Sequence, residues 1–147
     1  MEYAEMVYKP KWERKILRRG VVVPEAGKEE TFEYYIISQG RFPVAYIKVP
    51  EKSKYYQKNY DEIDLDVHGG LTYSRNYLAI EDKVLQGWFL GWDYAHVGDY
   101  IALPSEIENE DDTHKWTVEE IKEDVYRALR ELRNETLWHI LFSDSMW

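Results

Sequence analysis

Two short runs concentrate the residue types that do chemistry. The first is Asp64-Leu65-Asp66-Val67-His68-Gly69-Gly70-Leu71-Thr72-Tyr73-Ser74. The second is Gly87-Trp88-Phe89-Leu90-Gly91-Trp92-Asp93-Tyr94-Ala95-His96-Val97-Gly98-Asp99-Tyr100. Each joins carboxylates, one imidazole and pliable glycine backbone to apolar or aromatic neighbours, the makeup of a site built on strand ends.

Side chains on a strand alternate faces, so a strand here would point Asp64, Asp66 and His68 the same way. Oxygen ligands with an imidazole suit Mn²⁺, Zn²⁺ or Fe²⁺. Asp93, His96 and Asp99 recur three apart, and a turn-rich loop could converge them. If all six met, a divalent metal site could support a metal-dependent phosphoesterase, with one histidine as general acid or base. None of these spacings is a diagnostic ligand motif such as His-Glu-x-x-His. The metal reading is therefore the alternative, and no catalytic residue is assigned.

The preferred reading is a metal-free, cofactor-free pocket. Gly69 and Gly70 let backbone approach a ligand closely, and turned-in amides can cradle an anion. Thr72, Tyr73 and Ser74 add hydroxyls, and Trp88 and Trp92, alternating with Phe89, offer a stacking face. The candidate ligand-binding set is His68, Gly69, Gly70, Thr72, Tyr73, Ser74, Trp88, Asp93, His96 and Asp99. Lys54 or Lys58, interleaved with Tyr55, Tyr56 and Tyr60, could close over a phosphate, although such Lys-Tyr loops are also common as plain surface. A small, anionic, nucleotide-like ligand fits this set. A third reading is structural: two adjacent strands whose histidines hold the connecting loops by hydrogen bonds. His114 and His139 read as structural, and no Ser-His-Asp order or nucleophile elbow supports acyl transfer.

The elements that must position these runs follow from patterning. Residues 9–19 are basic and carry Trp12, Ile16 and Leu17, which suggests a short helix or packing arm within an N-terminal segment 1–20. Val21-Val22-Val23 is β-type, and Glu25 to Glu30 is a charged turn. Thr31 to Ser38 is rich in aromatic and β-branched residues and reads as a strand. Gln39-Gly40-Arg41 is a turn, and Pro43 to Val49 is the returning strand of a hairpin. Glu51 to Tyr60 is a loop, Leu78 to Leu85 a charged connection, and Gln86 to Trp92 a buried strand. Ser105 to His114 is an acidic loop without the glycine and ligand order of a Ca²⁺ site. Thr117-Val118-Glu119-Glu120 fits a capping box. Val118, Ile121, Val125, Leu129 and Leu132 then make one apolar stripe to about Arg133. The apolar tail 135–147 could be a last strand, a short helix or a dimer contact. Strands followed by a helix predict a single α+β domain over 1–147, with a mostly antiparallel sheet.

Size and charge narrow the partners. A chain of 147 residues suffices for one real core. The 28 acidic against 19 basic residues leave a formal charge of −9, which repels phosphate backbones and argues against general nucleic-acid binding. No cysteine is present, so disulfides, thiolate metal sites and cysteine nucleophiles are excluded together. The first residues lack a signal-peptide pattern and no apolar run approaches a membrane span, so a soluble cytoplasmic protein is expected. The 13 Tyr and 6 Trp suit a half-wet pocket or an interface as well as a core, leaving a homo-oligomer open.

The strings Asp66-Val67-His68-Gly69-Gly70-Leu71-Thr72-Tyr73-Ser74 and Gly91-Trp92-Asp93-Tyr94-Ala95-His96-Val97-Gly98-Asp99, with Pro43 to Pro50, Tyr55-Tyr56, Tyr60 and the segment from Trp116 to Leu132, resemble a family of small, largely uncharacterised phage, prophage and bacterial proteins. The resemblance spans roughly residues 40–133. The family pattern resembles Gly-Phe-Asp where this chain has Gly91-Trp92-Asp93. It implies a phage-type accessory protein acting in the host cytoplasm. Such a protein could sequester or cleave a nucleotide-like immune signal, or inhibit a host defence protein through the acidic surface and apolar tail.

Overall fold

The computed structural model describes residues 15–22, 31–81, 83–102 and 112–144, with 134–144 as helical backbone. Five strands form one antiparallel sheet. They are β1 (Lys15–Val22), β2 (Phe32–Ser38), β3 (Pro43–Val49), β4 (Tyr73–Ile80) and β5 (Lys83–Asp93), in spatial order β1-β2-β3-β5-β4. A short 3₁₀ turn (Tyr60–Glu62) lies between β3 and β4, and helix α1 (Val118–Asp144) follows the sheet. The architecture is α+β, as the patterning predicts.

Alternation along the central strands makes two apolar clusters. Phe32, Tyr34 and Ile36 of β2, Ala45, Ile47 and Val49 of β3, and Leu90 and Trp92 of β5 belong to the first. Ile121, Val125, Ala128, Leu129 and Leu132 of α1, with Leu65, Val67 and Tyr94, complete it. Each large aliphatic side chain buried there contributes about 1.5–3 kcal/mol of transfer free energy. Tyr35, Ile37, Val44, Tyr46, Leu78, Ile80 and Phe89 form the second cluster.

The β2–β3 hairpin, its turn (Gln39 N–H to Phe42 O, 2.8 Å) and the capping box all lie where the sequence places them. Thr117 Oγ1 accepts from Glu120 N at 3.2 Å, and Glu120 Oε1 accepts from Thr117 N at 2.9 Å. This reciprocal pair satisfies two amides that a helix start leaves open.

Four expectations are corrected. Lys15 to Arg19 are in edge strand β1, not a helix, because pairing with β2 from Lys15–Ser38 to Val22–Phe32 satisfies their backbone. Leu78 to Leu85 is not a loop but the tip of the β4–β5 hairpin. There Leu78 and Ile80 are buried while Tyr77 and Ala79 are exposed, a strand alternation masked by charge. Helix α1 runs past Arg133 to Asp144, taking the tail residues 135–144 into its backbone. Residues 63–67 form no strand and pair with no described strand. The arm before residue 15, the turn 25–30, the acidic stretch 105–111 and residues 145–147 lie outside the described residues.

Candidate functional site

The two chemistry-rich runs meet through two tight turns. In the first, Gly70 N bonds Val67 O at 2.9 Å, with Gly69 and Gly70 at φ +71° and +85°. In the second, Asp99 N bonds His96 O at 2.9 Å, with Gly98 at φ +95° and Val97 exposed at the apex. Asp93, at the end of β5, starts the second turn by accepting Ala95 N at 3.1 Å. A Cβ on Gly69 would stand 2.2 Å from His96 Nε2, so this close approach of the turns requires glycine.

Asp99 is the hub between them. It is 6% exposed and accepts from three donors. His68 Nε2 lies 2.8 and 3.0 Å from its two oxygens, Trp116 Nε1 donates at 2.8 Å, and His96 N donates at 2.9 Å. A carboxylate only accepts, so the His68 proton sits on Nε2. Burial pushes the Asp99 carboxyl upward, but the His96 amide, His68 and Trp116 outweigh it, and the net shift is downward. The segment before α1 is tied in as well, since Tyr100 N bonds His114 O and His114 N bonds Gly98 O.

Aromatic rings enclose the imidazole. His68 stacks on Tyr94 with centroids 4.8 Å apart and planes 5° apart, while Trp116 tilts against both. His96 meets His68 edge-on, with centroids 5.5 Å apart. His96 Nε2 comes within 3.3 Å of Asp93 Oδ1. It is a buried side-chain nitrogen with no hydrogen bond among the described residues. The two histidine side chains remain 25% and 36% exposed. Asp93 also lies 3.4 Å from the Thr72 hydroxyl.

Beneath the rings runs a buried polar chain. Trp92 Nε1 donates to the Tyr94 hydroxyl at 2.9 Å, and this hydroxyl donates to Asp124 Oδ2 at 2.7 Å. Arg127 pairs with the other Asp124 oxygen. Burial, then donation to Asp124, raises the Tyr94 hydroxyl far above its ordinary value of 10.0. The chain joins the floor of the cluster to α1.

His68, Gly69, Thr72, Asp93, His96 and Asp99 thus converge, with Gly70 in the same turn. The other candidates lie elsewhere. Tyr73 packs edge-on against Tyr46 and donates to Tyr77 O, and Ser74 accepts Tyr60 N. Trp88 donates to Lys58 O, five residues back along β5 from Asp93, or roughly 17 Å at strand rise. Asp64 and Asp66 are exposed, because Leu65 and Val67 take the core side of the segment. Among the described residues no three His, Asp or Glu side chains are grouped to hold a metal ion.

Sequence reasoning passed over Tyr94, Trp116 and Asp124. Asp124 carried a signal: it falls on the apolar stripe between Ile121 and Val125, where a carboxylate must have partners. Trp116 precedes the cap residue Thr117 and had no comparable mark. His114 holds Glu120 at 2.9 Å and packs edge-on against Trp116, a structural role.

Chemically, the arrangement clasps more than it reacts. Asp99 fixes the tautomer of His68 as in an Asp-His dyad, but divides its charge among three donors. The Nε2 tips of both histidines are turned inward, one onto Asp99 and one against Gly69. The hydrogen bonds are those of the structural reading, with histidine and aspartate holding the connecting turns. No family model, curated protein or solved structure matches this chain. Among the described residues no helix is long and apolar enough to cross a membrane.

Proposed function

We propose that this chain is a binding protein that holds a small anionic, nucleotide-like ligand over the joined turns 67–70 and 96–99. The observation that carries the reading is the pair of part-exposed imidazoles 5.5 Å apart. Beside them lie the Thr72 hydroxyl and the glycines Gly70 and Gly98, whose Cβ positions face open space. The Asp99 charge beneath them is already spread over three donors, which reduces its repulsion of an anion. Binding is favoured over phosphoester cleavage because His68 Nε2 is bonded to Asp99 and His96 Nε2 is buried against Gly69, so neither Nε2 faces a substrate proton. The resemblance to a phage-type family supplies a setting in which such a protein withdraws a host immune signal in the host cytoplasm.

Calorimetry against mononucleotides and cyclic dinucleotides, with and without Mn²⁺, tests this reading. The expected result is saturable binding without turnover, weakened by His96→Gln and by Thr72→Ala. Silence across the panel from a folded protein would refute it. Metal-dependent product in the mass spectrum would replace it with the phosphoesterase.

A further inference from the structure

A cavity lies well away from the histidines. It measures about 610 Å³ and opens where β2 begins, β3 ends and the 51–57 loop turns back. That volume is within the range of small-molecule sites. Three backbone and side-chain devices converge on it. The β4–β5 ladder slips between Arg75 and Tyr77, so that Asn76 faces the two residues Gly87 and Trp88 across a bulge. Bulges re-aim side chains and recur beside binding sites. Gly87 has φ +141°, and a Cβ there would stand 2.5 Å from Lys48 Cε, so the lysine stem crosses the bulge only over glycine. Gln57, on the opposite rim, has φ +66°, a costly conformation for a glutamine and one that clusters at functional sites.

The lining chemistry selects a ligand. Trp88 is held by its Nε1 bond to Lys58 O at 3.0 Å, which makes it a fixed aromatic wall, and Tyr56 adds a second ring. Gln57, Asn76 and Gln86 bring three side-chain amides that make no hydrogen bond to described residues. Among the described lining residues, Glu33 and Glu51 outnumber the one cation, Lys48, which already stands 3.9 Å from Glu33. A lining with excess carboxylate disfavours phosphate. Aromatic faces with neutral amides suit a flat or ring-shaped ligand carrying hydroxyls.

We infer that the Trp88–Asn76–Gln57 cavity is a binding site for an uncharged, hydroxyl-bearing ring compound, a saccharide or a nucleoside. It is independent of the anion site proposed at His68 and His96.

The test is ¹H–¹⁵N NMR titration of the full chain. Its probes are N-acetylglucosamine, maltose, adenosine and uridine, with the two nucleoside monophosphates as anionic counterparts. At least one neutral probe should shift the Trp88 indole and the Asn76 and Gln86 side-chain amides in a saturable way. The monophosphate should bind more weakly than its nucleoside. Asn76→Ala and Gln86→Ala, both at exposed positions, should each weaken binding by roughly three- to tenfold. The saccharide and nucleoside arms identify the source of the ring. The inference is overturned if no neutral probe moves the Trp88 indole, if the monophosphate binds there more tightly than its nucleoside, or if both alanine variants bind unchanged. Shifts confined to the Trp116 indole and the histidine turns would report on the anion site instead.

Discussion

Removing the Asp99 carboxylate should disconnect three parts of the chain at once. Asp99→Ala leaves His68 Nε2, Trp116 Nε1 and the His96 amide without their acceptor. A stranded buried donor costs about 1–3 kcal/mol. His68 is part-exposed and can turn towards water, so the low end applies and the sum is about 3 kcal/mol. That is a large share of the ~5–15 kcal/mol that holds a domain folded. Asp99→Asn keeps one acceptor oxygen but sets an amide N–H₂ against the remaining donors, and roughly half that loss is expected. The pH dependence separates charge from shape. The Asp99 carboxyl is lowered in the folded state from its ordinary 3.8, so its contribution is complete above 3.8 and fades as pH falls through the lower folded value. The stability gap between wild type and Asp99→Asn should therefore narrow below about pH 4. Urea unfolding followed by tryptophan fluorescence measures the gap, and the Trp116 indole resonance reports the lost bond. If Asp99→Ala unfolds within about 0.5 kcal/mol of wild type, the normal range for an inert surface change, with the Trp116 indole unmoved, the hub assignment is wrong.

Other perturbations probe neighbouring parts. Gly69→Ala combines a left-handed φ with a contact on the His96 ring, and should cost about 1–3 kcal/mol while shifting His96 resonances, as thermal unfolding and NMR can check. Tyr94→Phe strands Trp92 Nε1 and removes a donor from Asp124, for a loss of about 1–3 kcal/mol in denaturant titration. The raised Tyr94 hydroxyl contributes stability below its ordinary 10.0 that is lost at higher pH, so alkaline unfolding should be steeper in wild type than in Tyr94→Phe. Thr117→Ala should cost about 1 kcal/mol by removing the helix cap, with slower-protected amides in the first turn of α1 exchanging faster.

Local patterns were legible where a physical signal is itself local. The β2–β3 hairpin, the Thr117 cap and the stripe from Ile121 to Leu132 needed only alternation, capping chemistry and helical period. Two of the assignments that failed were those in which charge hid a strand. Lys15 to Arg19 and Leu78 to Leu85 look like surface from composition, yet edge strands carry charged residues freely because their outward faces meet water. Within the site, the unusual density of aspartate, histidine and glycine marked both turns, and the glycines marked backbone that could pass close to a ring. Spacing alone put Trp88, Tyr73 and Ser74 in the same group, because it cannot tell which strand end a residue occupies.

By itself the sequence determined that His68 and His96 lie in glycine-bearing turns, that the chain is acidic and cysteine-free, and that one amphipathic helix follows a set of strands. Tertiary structure alone decided that Asp99, and not Asp64, Asp66 or Asp93, is the carboxylate His68 bonds. It also decided that Trp116 and Tyr94 wall the imidazole, and that Trp88 serves a different cavity. The reason is physical: alternation and helical period set which way a side chain points along its own element. Which groups meet depends on strand order, register and the docking of α1, all of which join residues far apart in the chain.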